Sequence, residues 1–143
     1  MRAVTALGGP GALDREYAGT TSTLRTARND VVTWLNDNRL DQDLQDRATL
    51  VLSELTSNAV QASPGNPYNV RASLDPEGAL VVAVTSRSDQ ALPPREMWGP
   101  ATVLAPRGRG LLIVGKLSDH VNVEQPSDNT VVVTSTLRGA TQV

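Results

Sequence analysis

With 143 residues, 39% of them hydrophobic, the chain has the size of one domain built on a single core. Thirteen basic against fifteen acidic residues leave a net charge of -2 with no Lys/Arg run, which excludes the electrostatic footprint of a general nucleic-acid binder. The lack of Cys and the single His, His120, exclude disulfides, thiolate metal sites, His-based metal clusters and His-dependent triads.

The N-terminal MRAVTALGGPGALDR is short of the apolar length of a signal peptide, and residues 1–13 read as a flexible lead-in. No stretch reaches the ~20 apolar residues of a membrane-spanning helix, so the expected location is the cytoplasm, with no membrane partner. A short edge strand is expected around Arg15 to Ala18. Thr20, Thr21 and Ser22 then offer N-cap oxygens to a helix marked by Leu24, Ala27, Val31 and Leu35 and ending near Asn38. A longer helix, from about Asp41 to Ala62, carries Leu44, Ala48, Val51, Leu52, Leu55 and Ala59 at steps of three and four. It stops at Ser63, Pro64 and Gly65. Alternating residues from Tyr68 to Leu74, a turn at Asp75 to Gly78 and a Val-rich run from Ala79 to Thr85 predict a hairpin. Residues 86–107 hold five prolines and glycines and read as a long irregular loop, either a functional lid or a disordered segment. Gly108 to Leu117 predicts a glycine-led helix, and His120 to Glu124 with Thr130 to Leu137 a second hairpin turning at Pro126 to Asn129. This order predicts an α+β fold, a two-layer α/β sandwich with one mixed sheet and its helices packed on one face.

Two polar features interrupt these elements. In VLSELTSNAVQAS, residues 51–63, Glu54 and Asn58 stand four apart and share one helix face. Taken alone, such a pair also fits a polar helix edge at the rim of a core. In PRGRGLLIVGKL, residues 106–117, Gly108 and Gly110 let the backbone approach a ligand where a helix start offers unpaired N–H groups. That pattern suits phosphate, and Arg107 and Arg109 add positive charge, although a bare Gly-x-Gly can equally serve a turn and either Arg a solvated loop.

Taken in this order, the residues resemble the GHKL superfamily of histidine kinase-like ATPases and, within it, the small single-domain anti-sigma-factor serine kinases of actinobacteria. ELTSNAV resembles that family's N box, and PRGRGLLIV followed by LSDHVNVE resembles its second glycine box and the strand after it. The resemblance spans nearly all of 14–143 and implies a Bergerat-type ATPase domain with an ATP lid at about 92–107. It implies ATP and Mg²⁺ as cofactors. Asn58 would be the Mg²⁺ ligand and Glu54 the general base toward the attacking hydroxyl. Arg107, Gly108, Gly110 and the Leu111 N–H would hold phosphate. Thr130, in DNTVVV, matches the Thr that helps hold the nucleotide. The chain departs from the pattern in VVAVTSRSDQALPP, where Ser86 stands at the position of an Asp that accepts from the adenine amino group.

The implied function is Mg-ATP-dependent protein serine/threonine kinase activity on a STAS-domain anti-anti-sigma protein, with binding of a sigma factor and homodimerisation. The VTSRSDQ stretch keeps a second function open, a partner-binding domain of the same fold with weak or no nucleotide binding. His120 is expected to be a surface residue at a strand start, and Arg25 and Arg28 a solvated face of the first helix. Trp98 and Met97 fit either a partner anchor or a contact that tucks the loop onto the core.

Overall fold

A computed structural model of the chain describes residues 11–87, 113–127 and 129–139. Strand β1 (Leu13–Tyr17) leads into helix α1 (Thr23–Asp37) and helix α2 (Gln42–Ala62), followed by strands β2 (Tyr68–Leu74), β3 (Leu80–Arg87), β4 (His120–Ser127) and β5 (Thr130–Leu137). Residues 113–117 are helical. The five strands form one sheet in the order β1-β2-β3-β5-β4. Both long helices pack on one of its faces, in the two-layer α+β arrangement expected.

The sheet departs from the expected mixed form, because every pairing among the described strands is antiparallel. The physical reason is the insertion of β5. The connection from β3 to β4 returns the chain in the same direction, which alone would give a parallel pair. The hairpin partner β5 occupies the place between them, so β3 and β4 run alike without touching.

Helix starts and turns follow local chemistry. Asp41 caps α2 by accepting from the Leu44 N–H at 2.8 Å. At α1 the expected N-cap oxygens act differently: Ser22 makes no capping bond, and the Thr23 hydroxyl donates back to the carbonyls of Ala18 and Thr20. In the β2–β3 turn Asp75 accepts from the N–H groups of Glu77 and Ala79, and Gly78 takes a φ of 87° that disfavours side chains. Strand β4 runs three residues past its expected end, to Ser127. An irregularity between Glu124 and Ser127 absorbs Pro126, which an edge strand tolerates because its missing N–H need not serve a neighbour.

The core lies between the helices and the sheet. Ala48, Val51, Leu52, Leu55 and Ala59 of α2 are almost fully buried, as are Val70, Leu80, Val82, Val84, Val131 and Leu137 from the strands. Trp34, the aromatic of α1, is buried with its indole N–H donated to the Gly11 carbonyl at 3.2 Å. Where α1 leaves β1, Gly19 passes the backbone of Asn66 so closely that an added Cβ would stand 2.0 Å from the Asn66 carbonyl oxygen, while its own carbonyl accepts from the Gly65 N–H at 2.8 Å. The obstacle is main chain, so it cannot turn aside. Gly19→Ala is therefore expected to lower stability by about 3 kcal/mol, a fall in Tm on the order of 10 °C, measurable by thermal unfolding. An unchanged Tm would show that this crossing is not tightly packed.

The same corner holds a tyrosine pair. Tyr17 and Tyr68 stack with ring centroids 5.6 Å apart; the Tyr17 hydroxyl donates to Asp30 at 2.7 Å, and the Tyr68 hydroxyl bonds Thr23 at 2.8 Å. Burial, then the hydrogen bond to the Asp30 carboxylate and that carboxylate's charge, push the Tyr17 hydroxyl well above its ordinary 10.0. Burial also raises Tyr68. The folded state thus keeps protons that the unfolded chain releases near pH 10, so this contribution is complete below pH 10 and declines as pH rises beyond it. Tm should fall with pH above about 10, and more gently in Tyr17→Phe; equal slopes in the two proteins would remove Tyr17 from the account.

Candidate functional site

Helix α2 carries two stripes. Leu52, Leu55, Thr56, Ala59 and Val60 face the core, and Ser53, Glu54, Ser57 and Asn58 form a half-buried polar stripe beside them. Glu54 and Asn58 are one turn apart within it, as their spacing predicts. Thr56 is nearly fully buried and satisfies its hydroxyl on the Leu52 carbonyl at 2.8 Å, so its polarity is spent inside the helix. Asn58 differs: its carboxamide nitrogen is buried and, among the described residues, has no hydrogen-bond partner. Leaving such a donor unpaired costs on the order of 1–3 kcal/mol, and native proteins keep few of them. The carboxamide is poised for a group that is not part of the described chain. Turned by half a rotation about its last bond, it offers its oxygen in the same place.

Ser86 approaches from the sheet. In β3, Leu80, Val82 and Val84 point to the helices, and alternation puts Ser86 on the same face, half-buried and in register with Val131 of β5. It lies at the end of the sheet where β2 begins, six residues after α2 stops, because Asn69 pairs with Thr85. The fold therefore brings Ser86 toward the C-terminal half of α2, where Glu54 and Asn58 stand.

Thr130 is not on that face. It is paired with Arg87, and with Val131, Val133 and Leu137 buried against the helices, alternation puts Thr130 on the outer face of the sheet. The signal was present in TVVV, since a first residue of opposite parity to the buried valines faces away from them. Arg107, Gly108, Gly110 and Leu111, together with the 92–107 segment and Met97 and Trp98, lie outside the described residues. His120 is exposed at the start of β4, and Arg25 and Arg28 are exposed on α1, as expected.

Sequence reasoning missed Arg47. It donates to the Leu117 carbonyl at 3.3 Å and the Arg138 carbonyl at 2.6 Å, and its Nε pairs with Asp43 at 3.1 Å. It thereby ties the end of the helical residues 113–117 to α2, three turns before Asn58. The Ser118 and Ser135 hydroxyls, 2.6 Å apart, join the same end to β5. In the sequence Arg47 reads only as a helix-surface partner of Asp43; its carbonyl partners are 70 and 91 residues away.

Among the described residues no group of three or more His, Asp or Glu side chains could hold a metal ion. A divalent cation bound here through Asn58 would take its other oxygens from phosphate and water, the habit of Mg²⁺, so the donor set fits that ion. No helix among the described residues is long and apolar enough to cross a membrane.

The arrangement defines a class: an α+β domain in which a long helix with a polar stripe lies across the middle of an antiparallel sheet. The sequence model of the histidine kinase-like ATPase domain matches residues 17–135, and the chain belongs to that family, a class of nucleotide-binding domains. No curated protein matches the sequence. Among solved structures, the RsbU and RsbW domains of Rv1364c from Mycobacterium tuberculosis are similar with a TM-score of 0.68 at 20% identity, over 90% of this chain and 32% of that one. The chain thus spans about a third of that protein's length. The SiaB-SiaC complex from Pseudomonas aeruginosa is similar with a TM-score of 0.67 at 13% identity, over 86% of this chain and 88% of its counterpart. At these identities the likeness is one of fold.

Proposed function

We propose that this chain is an anti-sigma-factor-type protein serine/threonine kinase that uses Mg-ATP to phosphorylate a STAS-domain anti-sigma antagonist. In its other state it binds a sigma factor, and it works as a cytoplasmic homodimer. The observation that carries the proposal is Asn58, whose carboxamide nitrogen is buried and unpartnered among the described residues, one turn after a carboxylate, in a chain of the histidine kinase-like ATPase family. The similarity to a structure containing an RsbW domain, and to one solved as a complex of two proteins, supports a partner-directed role.

In this reading the hydroxyl oxygen of a partner Ser or Thr bonds to the γ-phosphorus of ATP, and its proton passes to the Glu54 carboxylate. The bond from the γ-phosphorus to the oxygen bridging the β-phosphate breaks, and ADP leaves with that electron pair. Mg²⁺, held by the Asn58 oxygen, supplies neutralising charge to the phosphates when bound. Gly108, Gly110 and the Leu111 N–H hold the phosphates, with Arg107 adding charge, and residues 92–107 cover them. Ser86 meets the base. Thr130, on the outer face, is left to steady the end of β5.

The test is transfer of labelled γ-phosphate from ATP to candidate STAS-domain proteins. Transfer that disappears in a Glu54→Ala protein supports the kinase. Absence of transfer to any partner, with Glu54→Ala indistinguishable from wild type in partner binding, rejects it. One observation favours a second reading, a binding module: Ser86 offers an uncharged hydroxyl where a carboxylate would hold the adenine amino group more strongly. Calorimetric titration with ATP and Mg²⁺ separates the two, because binding weaker than millimolar supports the module.

A further inference from the structure

We propose that Ser86 makes the site tolerant of the purine, so that the chain takes GTP as well as ATP; the inference rests on the nucleotide site proposed above. The covered face of the two central strands consists of Leu80, Val82, Val84 and Ser86 on β3 and Val131, Val133, Ser135 and Leu137 on β5. Two of these eight are polar. The Ser135 hydroxyl is fully buried and already bonded to Ser118 at 2.6 Å. Ser86 is half-buried near the C-terminal end of the strand, and among the described residues nothing hydrogen-bonds its hydroxyl. Val84 and Val131 are themselves covered by the core, so a ring system that reaches this end of β3 meets, among the described residues of this face, one polar side chain without a hydrogen bond, Ser86.

That group sets what edge the ring can present. A carboxylate only accepts, so it welcomes an amino group and repels a carbonyl oxygen. The repulsion, more than the attraction, is what rejects a 6-oxo purine such as guanine in favour of a 6-amino purine such as adenine. A hydroxyl rotates to donate or to accept, and it satisfies either edge with one hydrogen bond. The position thus loses its power to exclude guanine while keeping a modest bond to adenine.

The experiment is calorimetric titration of the full chain with ATP and, separately, GTP, each with Mg²⁺, on the wild type and on Ser86→Asp. The expected result is a GTP Kd within tenfold of the ATP Kd in the wild type, and a ratio moved at least tenfold toward ATP in Ser86→Asp. A wild-type preference for ATP above tenfold overturns the inference while leaving the nucleotide site standing, and this arm needs no variant to fold. An unchanged ratio in a Ser86→Asp protein with a normal unfolding transition also overturns it. If the wild type binds neither nucleotide, the nucleotide-site reading itself fails and the inference falls with it.

Discussion

Replacing Glu54 by Gln is expected to lower phosphoryl transfer by about 10²–10⁴-fold while leaving the Kd for ATP within about threefold. Glutamine keeps the length of the side chain and its place in the polar stripe of α2, half-buried beside Asn58. It cannot accept the proton that the attacking hydroxyl must lose. The loss should thus fall on the chemical step and spare ground-state binding, a split that single-turnover transfer assays and calorimetry read independently. Equal losses in rate and affinity would make Glu54 a binding residue. An unchanged rate would remove it from the chemistry altogether.

Asn58→Ala separates function from stability in the opposite sense. A carboxamide that closes on a bound cation or phosphate contributes roughly 1.5–3 kcal/mol, so its removal should weaken Mg-ATP binding by about tenfold to a hundredfold. The unliganded protein should not suffer. The substitution deletes a buried donor that has no partner among the described residues, and it places a better helix former inside α2. A gain on the order of 1 kcal/mol, or a few degrees in Tm, is expected without nucleotide. The wild type should regain more than this when Mg-ATP is added, and the variant little. A variant that melts lower than wild type and still binds ATP normally would make Asn58 a packing residue.

How far these predictions could be made from the sequence differs from element to element. The strands Tyr68–Leu74 and Thr130–Leu137, and α2 to within a residue at its start, are where periodicity puts them, because each has one buried face and the spacing of apolar residues records it directly. Glu54 and Asn58 share a face for the same reason, since helix geometry needs nothing from the rest of the chain. The parity of Thr130 was equally local, visible in its offset from Val131 and Val133, and it sets that residue on the outer face rather than toward α2.

Other features depend on which distant segments meet. Arg47 acts through carbonyls 70 and 91 residues away, and Gly19 matters because the Asn66 backbone crosses it; neither partner leaves a mark at the residue itself. The antiparallel sheet, expected to be mixed, follows from β5 taking the place between β3 and β4, a choice made by strand pairing across the whole layer.

By itself, then, the sequence determined the elements, the shared face of Glu54 and Asn58, and the family to which the chain belongs, because periodicity, capping and motif spacing act over a few residues. Tertiary structure alone decided that the Asn58 carboxamide nitrogen is buried and that, among the described residues, neither it nor the Ser86 hydroxyl on the covered face has a hydrogen-bond partner. Both are properties of what surrounds a side chain, and those surroundings exist only once α2 has been laid across the sheet.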